Sequence, residues 1–129
     1  MTRVLVVDVA NVLGSVPDGW WKDRAAAASR LCEAVRAWLS AGRAPYDRAV
    51  LVLEGRARAG APEAVSAQVQ VVHAPGSGDD EIVAQCRALA QGDPDARVTV
   101  ATADRGLIAR VATQGASIVG PRSIPRVHR

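Results

Sequence analysis

Five short runs of the 129-residue chain, residues 4–7, 49–53, 69–72, 98–101 and 117–119, are apolar, rich in valine or isoleucine, and bounded by turn or helix signals. Their apolarity is continuous. A strand with one wet face alternates polar and apolar residues, so continuous runs point to strands buried on both faces, as in a parallel sheet. Helical periods separate them. From about residue 23 to 40, Leu31, Val35, Trp38 and Leu39 share one stripe, with Gly42 as the stop. From about 80 to 91, Ile82, Cys86 and Leu89 recur, closed by Gly92-Asp93-Pro94; from 105 to 114, Leu107, Ile108 and Val111 form a third stripe ahead of Gly115. A short helix is expected near residues 62–67, and an extended tail over residues 121–129. Strands alternating with helices predict an α/β domain in three layers, with right-handed crossovers around a central, mostly parallel sheet. No linker or repeat interrupts it, so residues 1–129 read as a single domain.

Several function classes drop out on composition. At 49% apolar residues and a mean hydropathy of +0.06, the chain reads as globular rather than disordered. No apolar run approaches the roughly 20 residues of a membrane helix. The first residues lead straight into a strand, without a signal peptide, which predicts a cytoplasmic protein with no membrane partner. Cys32 and Cys86 lie on helical apolar stripes and read as buried thiols, while His73 and His128 are isolated, so neither a disulfide nor a zinc site is supported. The net charge of +3 rests on arginine, Lys22 being the sole lysine, and a pI near 9.5 is compatible with a polyanionic partner without demanding one. Aromatic residues, at 3%, supply no extended stacking platform.

In open α/β sheets ligands bind beyond the carboxyl ends of the strands. Carboxylates cluster at those ends here. Asp8 follows the first strand, Glu54 ends the second, Asp79 and Asp80 follow the third after the loop Ala74-Pro75-Gly76-Ser77-Gly78, and Asp104 follows the fourth. Carboxylates gathered on one edge repel one another unless a cation neutralises them. Mg²⁺ or Mn²⁺, hard ions that prefer oxygen ligands, suit such a set and can activate water against a phosphate.

Each residue also has a plainer use. Asp104, Thr102, Asp79 and Asn11 can be helix caps or turn formers, Asp80 can complement a helix dipole, and Glu54 can mark a strand's exit to solvent. Asp8 ends an apolar strand with no evident capping duty. The loop of residues 14–24 carries Trp20-Trp21, whose rings either brace the sheet edge or stack on a substrate. Lys22 and Arg24 either contact phosphates or pair with Asp18 and Asp23, and Asp23 is expected to cap the following helix. Gly76-Ser77-Gly78 either brings backbone amides to a phosphate or simply connects; it matches no P-loop or dinucleotide fingerprint.

The sequence Val6-Val7-Asp8-x-x-Asn11, then Gly78-Asp79-Asp80-x-Ile82, then Thr102-x-Asp104-Arg105 resembles the PIN-like superfamily, most of all its NYN-type bacterial ribonucleases. The resemblance spans residues 4–120 and implies a five-stranded parallel sheet ordered 3-2-1-4-5. By that likeness Asp8, Asp80 and Asp104 are catalytic and bind Mg²⁺ or Mn²⁺ with help from Asp79, Asp80 being preferred to its neighbour. Asn11, Lys22, Arg24, Ser77, Thr102 and Arg105 contact RNA, phosphate or water. The expected activity is metal-dependent phosphodiester hydrolysis of RNA. Hydrolysis of a free nucleotide and a non-catalytic RNA- or protein-binding module are the rivals. Two departures stand out: Gly120-Pro121-Arg122-Ser123 replaces a last acidic position, and the Trp20-Trp21 loop suggests an actinobacterial-type subgroup. PIN-like domains often pair, so a homodimer is a further expectation without an identified interface.

Overall fold

The computed structural model describes residues 1–125. Its centre is β1 (Arg3–Asp8), in which Val4 to Asp8 are all buried. Parallel partners flank it: β2 (Arg48–Leu53) on one side and β5 (Arg97–Ala101) on the other, with β4 (Val69–His73) beyond β2 and β6 (Ser117–Val119) beyond β5. These are the five expected strands, in the expected relative order.

The sheet has a sixth strand. The two-residue β3 (Ala64–Val65) pairs antiparallel with the outer edge of β4, giving the order β3-β4-β2-β1-β5-β6. It replaces the short helix expected near residues 62–67. The open edge of β4 carries backbone groups that need partners, and β3 supplies them, with Glu63 Oε2 accepting from His73 N at 3.0 Å.

Side-chain alternation along β1 and β2 divides the core in two. Leu5, Val7, Leu51 and Leu53 face α1 (Val9–Gly14) and α2 (Arg24–Ser40). Val4, Val6, Val50 and Val52 face α3 (Gly78–Gly92) and α4 (Arg105–Ala112), where Ile82, Cys86, Leu107 and Val111 complete the second layer. Both cysteines are buried free thiols. Burial on both faces is why the strands lack polar alternation.

α2 ends as its sequence foretold: Gly42 adopts φ +70°, its N–H reaching Leu39 O and the Arg43 N–H reaching Trp38 O, a Schellman closure. α1 was not foreseen. It is six residues long and follows β1 without a loop. The tail also departs from the extended form. Pro121–Ser123 is a 3-10 turn, and Arg122 Nε donates to Ser15 O at 3.2 Å. Residues 126–129 of that tail, with His128, lie outside the described residues. Among the described residues no helix is long and apolar enough to cross a membrane.

Candidate active site

Asp8 closes β1 and is 4% exposed. Contrary to expectation it has a local duty: it is the N-cap of α1, and its Oδ1 accepts from the Asn11 N–H at 3.3 Å. The Asp8-x-x-Asn11 spacing could have revealed this, because a cap acceptor reaches the third helical amide. Its other oxygen, Oδ2, accepts from the Thr102 hydroxyl at 2.9 Å, a bond between residues 94 apart in sequence.

Thr102 is the junction of the corner. Its buried hydroxyl donates to Asp8 and accepts from the Asp104 N–H at 3.1 Å. Asp104 in turn caps α4, its Oδ1 accepting from Leu107 N at 2.9 Å. Asn11 Oδ1 accepts from Ala103 N at 2.8 Å, tying α1 to the loop after β5. Asp8 and Asp104 therefore lie at the same end of the sheet, joined through one hydroxyl. The one proton of the Thr102 hydroxyl goes to Asp8, so none is left to donate to a phosphate.

On the other side of β1, Glu54 reaches over from the end of β2, and its Oε2 accepts from the Gly78 N–H at 3.0 Å. The sequence placed Glu54 among the strand-end carboxylates, with an exit to solvent as its plainer use, and did not anticipate this bond. A Cβ at Gly78 would sit 2.8 Å from Glu54 Oε1, so a larger residue there would push the carboxylate out of its present position. This amide is occupied, which removes it from the phosphate-binding role considered for the Gly76-Ser77-Gly78 loop. Ser77 caps α3, its Oγ accepting from Asp80 N at 3.1 Å.

The adjacent aspartates diverge. Asp80 is exposed and its Oδ1 pairs with Arg110 Nη1 at 3.0 Å. Asp79 is half-buried; its charge is felt at Asp8, and it feels the charge of Asp104. The expected preference for Asp80 over Asp79 is thus reversed in placement.

Electrostatics register the crowding. Burial, then the charges of Asp79 and Glu54, push the Asp8 carboxyl up from 3.8 to about 6, against the lowering effect of the Thr102 and Asn11 hydrogen bonds. Asp79 is also raised, first by burial and then by Asp104 and Glu54, while Arg110 pulls it down. Among the described residues no three Asp, Glu, His or Cys side chains stand together as a ready-made ligand set for one ion. The chemistry of the corner nonetheless fits a hard divalent cation: it offers carboxylate oxygens, and crowding adds to burial in raising the proton affinity of Asp8 and Asp79.

Of the expected phosphate contacts, Arg105 is exposed at the start of α4 beside Asp104, and Lys22 is exposed in the 3-10 turn Trp20–Lys22. Neither Lys22 nor Arg24 forms the anticipated pair with Asp18 or Asp23 among the described residues. Asp23 caps α2 as expected, accepting from Ala26 N at 3.0 Å. Arg24 instead lies over the Trp20 ring, 5.3 Å from its centroid. The two tryptophans meet edge to face at 6.1 Å; Trp20 packs against the core, while Trp21 is 50% exposed.

Thr102→Val keeps the shape of the junction and removes its hydroxyl. Loss of the bond to Asp8, with the Asp104 N–H left unpaired, is expected to cost about 1–3 kcal/mol in urea unfolding and to raise the Asp8 pKa further. An unchanged carboxyl titration in the variant, followed by NMR, would show that Thr102 does not hold Asp8.

No protein-family model matches the chain, and no curated protein matches it. Among solved structures it is similar to the crystal structure of a tryptophan-to-leucine mutant of Rae1 (YacP) from Bacillus subtilis. The TM-score is 0.63 at 19% identity, covering 95% of this chain and 72% of that one. At that identity the likeness is one of fold. The six-stranded, mostly parallel sheet with helices on both faces is the three-layer α/β architecture that the sequence predicts.

Proposed function

We propose that the chain is a ribonuclease that hydrolyses phosphodiester bonds with the help of Mg²⁺ or Mn²⁺. The observation that carries this reading is Asp8: a buried carboxylate, fixed by Thr102, in the field of Asp79 and Glu54, neither of which makes an ion pair among the described residues. Burying such a group costs stability at neutral pH, a cost that marks candidate functional sites. The resemblance to PIN-like, metal-dependent ribonucleases supports the reading, because it is carried by the motifs that contain Asp8, Asp79 and Asp104.

Asp8, Asp79 and Asp104 would hold the ion, which when bound would lower the pKa of a water and offset charge on the phosphate. Thr102 fixes the rotamer of Asp8 by hydrogen bond, and Asn11 holds the loop that carries Asp104. Arg105 and Arg24, both exposed, would hold the phosphate backbone. Asp80 stays with Arg110 at the periphery.

The test compares two variants on a single-stranded RNA with Mn²⁺. Asp79→Asn is expected to lower the cleavage rate at least about 100-fold, whereas Asp80→Asn changes it less than about threefold, as for an exposed ion pair. Wild-type cleavage of nucleoside triphosphates but not of RNA would overturn the reading in favour of a free nucleotide substrate. Equal losses in the two variants would remove the distinction between the two aspartates.

A further inference from the structure

A cavity of about 340 Å³ lies beside the carboxylate corner, lined by Ala10, Leu13, Trp20, Arg24, Glu54 and Ala57 with the backbones of Gly55 and Gly76. Its volume falls within the range of small-ligand sites, roughly 300–1,000 Å³. Its walls are of two kinds. Ala10, Leu13 and Ala57 come from α1 and the 3-10 segment after β2 and make an apolar floor, while Trp20 and Arg24 supply flat surfaces. Glu54 is shared with the corner, since its charge raises both Asp8 and Asp79.

We propose that this cavity is a subsite for one unstacked nucleobase, and that Glu54 makes it favour guanine. The inference rests on the ribonuclease reading for its link to cleavage, but the binding itself does not. Single-stranded RNA is read by splaying bases onto aromatic rings or arginine planes and bonding their Watson–Crick edges. Trp20 is partly buried and packs against the core, which holds its ring in place. Arg24 is exposed and makes no ion pair among the described residues, so its guanidinium is available to slide from the indole onto a base or phosphate.

Glu54 supplies the discrimination. The Gly78 N–H engages Oε2 and so holds the carboxylate in one orientation. An ionised carboxylate only accepts hydrogen bonds. Guanine presents two adjacent donors, N1–H and the N2 amino group, that match it as a pair. Adenine and cytosine set an acceptor beside their amino donor, and uracil flanks its single N–H with carbonyls, so each brings an oxygen or nitrogen lone pair against the carboxylate.

The test needs no cleavage. The full chain, ¹⁵N-labelled and kept in EDTA, is titrated with the 5′-monophosphates of guanosine, adenosine, cytidine and uridine, and with ribose 5-phosphate, while the Trp20 indole N–H resonance is followed. The expected result is a saturable shift strongest for GMP and absent for ribose 5-phosphate. Trp20→Leu should weaken GMP binding roughly 5- to 100-fold. Glu54→Gln, which keeps an oxygen for the Gly78 N–H, should abolish the preference for GMP over AMP yet leave weak binding of both. An equal response to ribose 5-phosphate, or an unaltered GMP preference in Glu54→Gln, overturns the proposal. RNA cleavage that persists beside a silent Trp20 resonance overturns the subsite and leaves the ribonuclease reading standing; GMP binding without cleavage does the reverse.

Discussion

An Asp8→Asn protein is expected to lose metal-dependent RNA cleavage by about 1,000-fold or more while becoming more stable than wild type in EDTA at neutral pH. Both effects come from one cause. Folding raises the Asp8 pKa from 3.8 to about 6, so the native state holds the proton more tightly than the unfolded chain. The native-state benefit is complete below pH 3.8 and is lost as the pH rises through about 6. The loss amounts to about 3 kcal/mol at the plateau, at 1.36 kcal/mol for each pKa unit. Asparagine carries no charge and avoids that loss. It cannot reproduce both acceptor bonds, to the Thr102 hydroxyl and the Asn11 N–H, which offsets about 1 kcal/mol. The net gain is therefore about 1–2 kcal/mol at pH 7.5, reversing to a small deficit at pH 4. Urea unfolding of both proteins at the two pH values measures it. Adding Mn²⁺ should raise the stability of wild type and not of the variant, because the cation takes the place of the proton. A variant that is less stable at pH 7.5 and cleaves RNA at the wild-type rate would remove Asp8 from the centre of the site.

Gly60→Ala should be the most damaging single methyl group in the molecule. The 3-10 segment Gly55–Gly60 lies against the first turns of α2, and a Cβ at Gly60 would collide with the Ala25 carbonyl oxygen. It would also stand 2.9 Å from Ala28 Cβ and 3.0 Å from Ser29 N. Two of these are backbone atoms of a helix whose Ala27 and Ala28 are buried, so neither a rotamer change nor a small shift relieves the overlap. The expected cost is about 2–3 kcal/mol. For a domain of this size that is a fall in Tm of roughly 6–15 °C. Gly92→Ala at the end of α3 is the control: nothing lies within 4 Å, and the change should be neutral or slightly stabilising. Equal melting of the two variants would mean that the segment does not press on α2. Because Gly55 and Ala57 line the cavity, a displaced segment should also weaken GMP binding there.

Much of the fold was legible because it follows from local rules. The five parallel strands announced themselves by unbroken apolarity, and α2, α3 and α4 by their stripes and the glycines beyond them. The failures have local reasons too. α1 is six residues with no loop before it, too short for a helical period to show. β3 is two residues long and exposed, so nothing in its own composition marks it; the unpaired edge of β4 calls it into being. The carboxylates were found by their position at strand ends, yet which of Asp79 and Asp80 turns inward was not. Adjacent helix residues point about 100° apart, and the side facing β1 is set by how α3 docks.

The order of apolar and polar residues along this chain was enough to determine a buried parallel sheet with acidic residues at the carboxyl ends of its strands, because hydrophobic periodicity is a property of neighbours in sequence. Tertiary structure alone decided that Thr102 grips Asp8, that Glu54 holds the Gly78 amide, and that Trp20, Arg24 and Glu54 enclose one cavity. Those contacts join side chains from different elements. Their distances depend on crossover geometry and strand register, which no local pattern encodes.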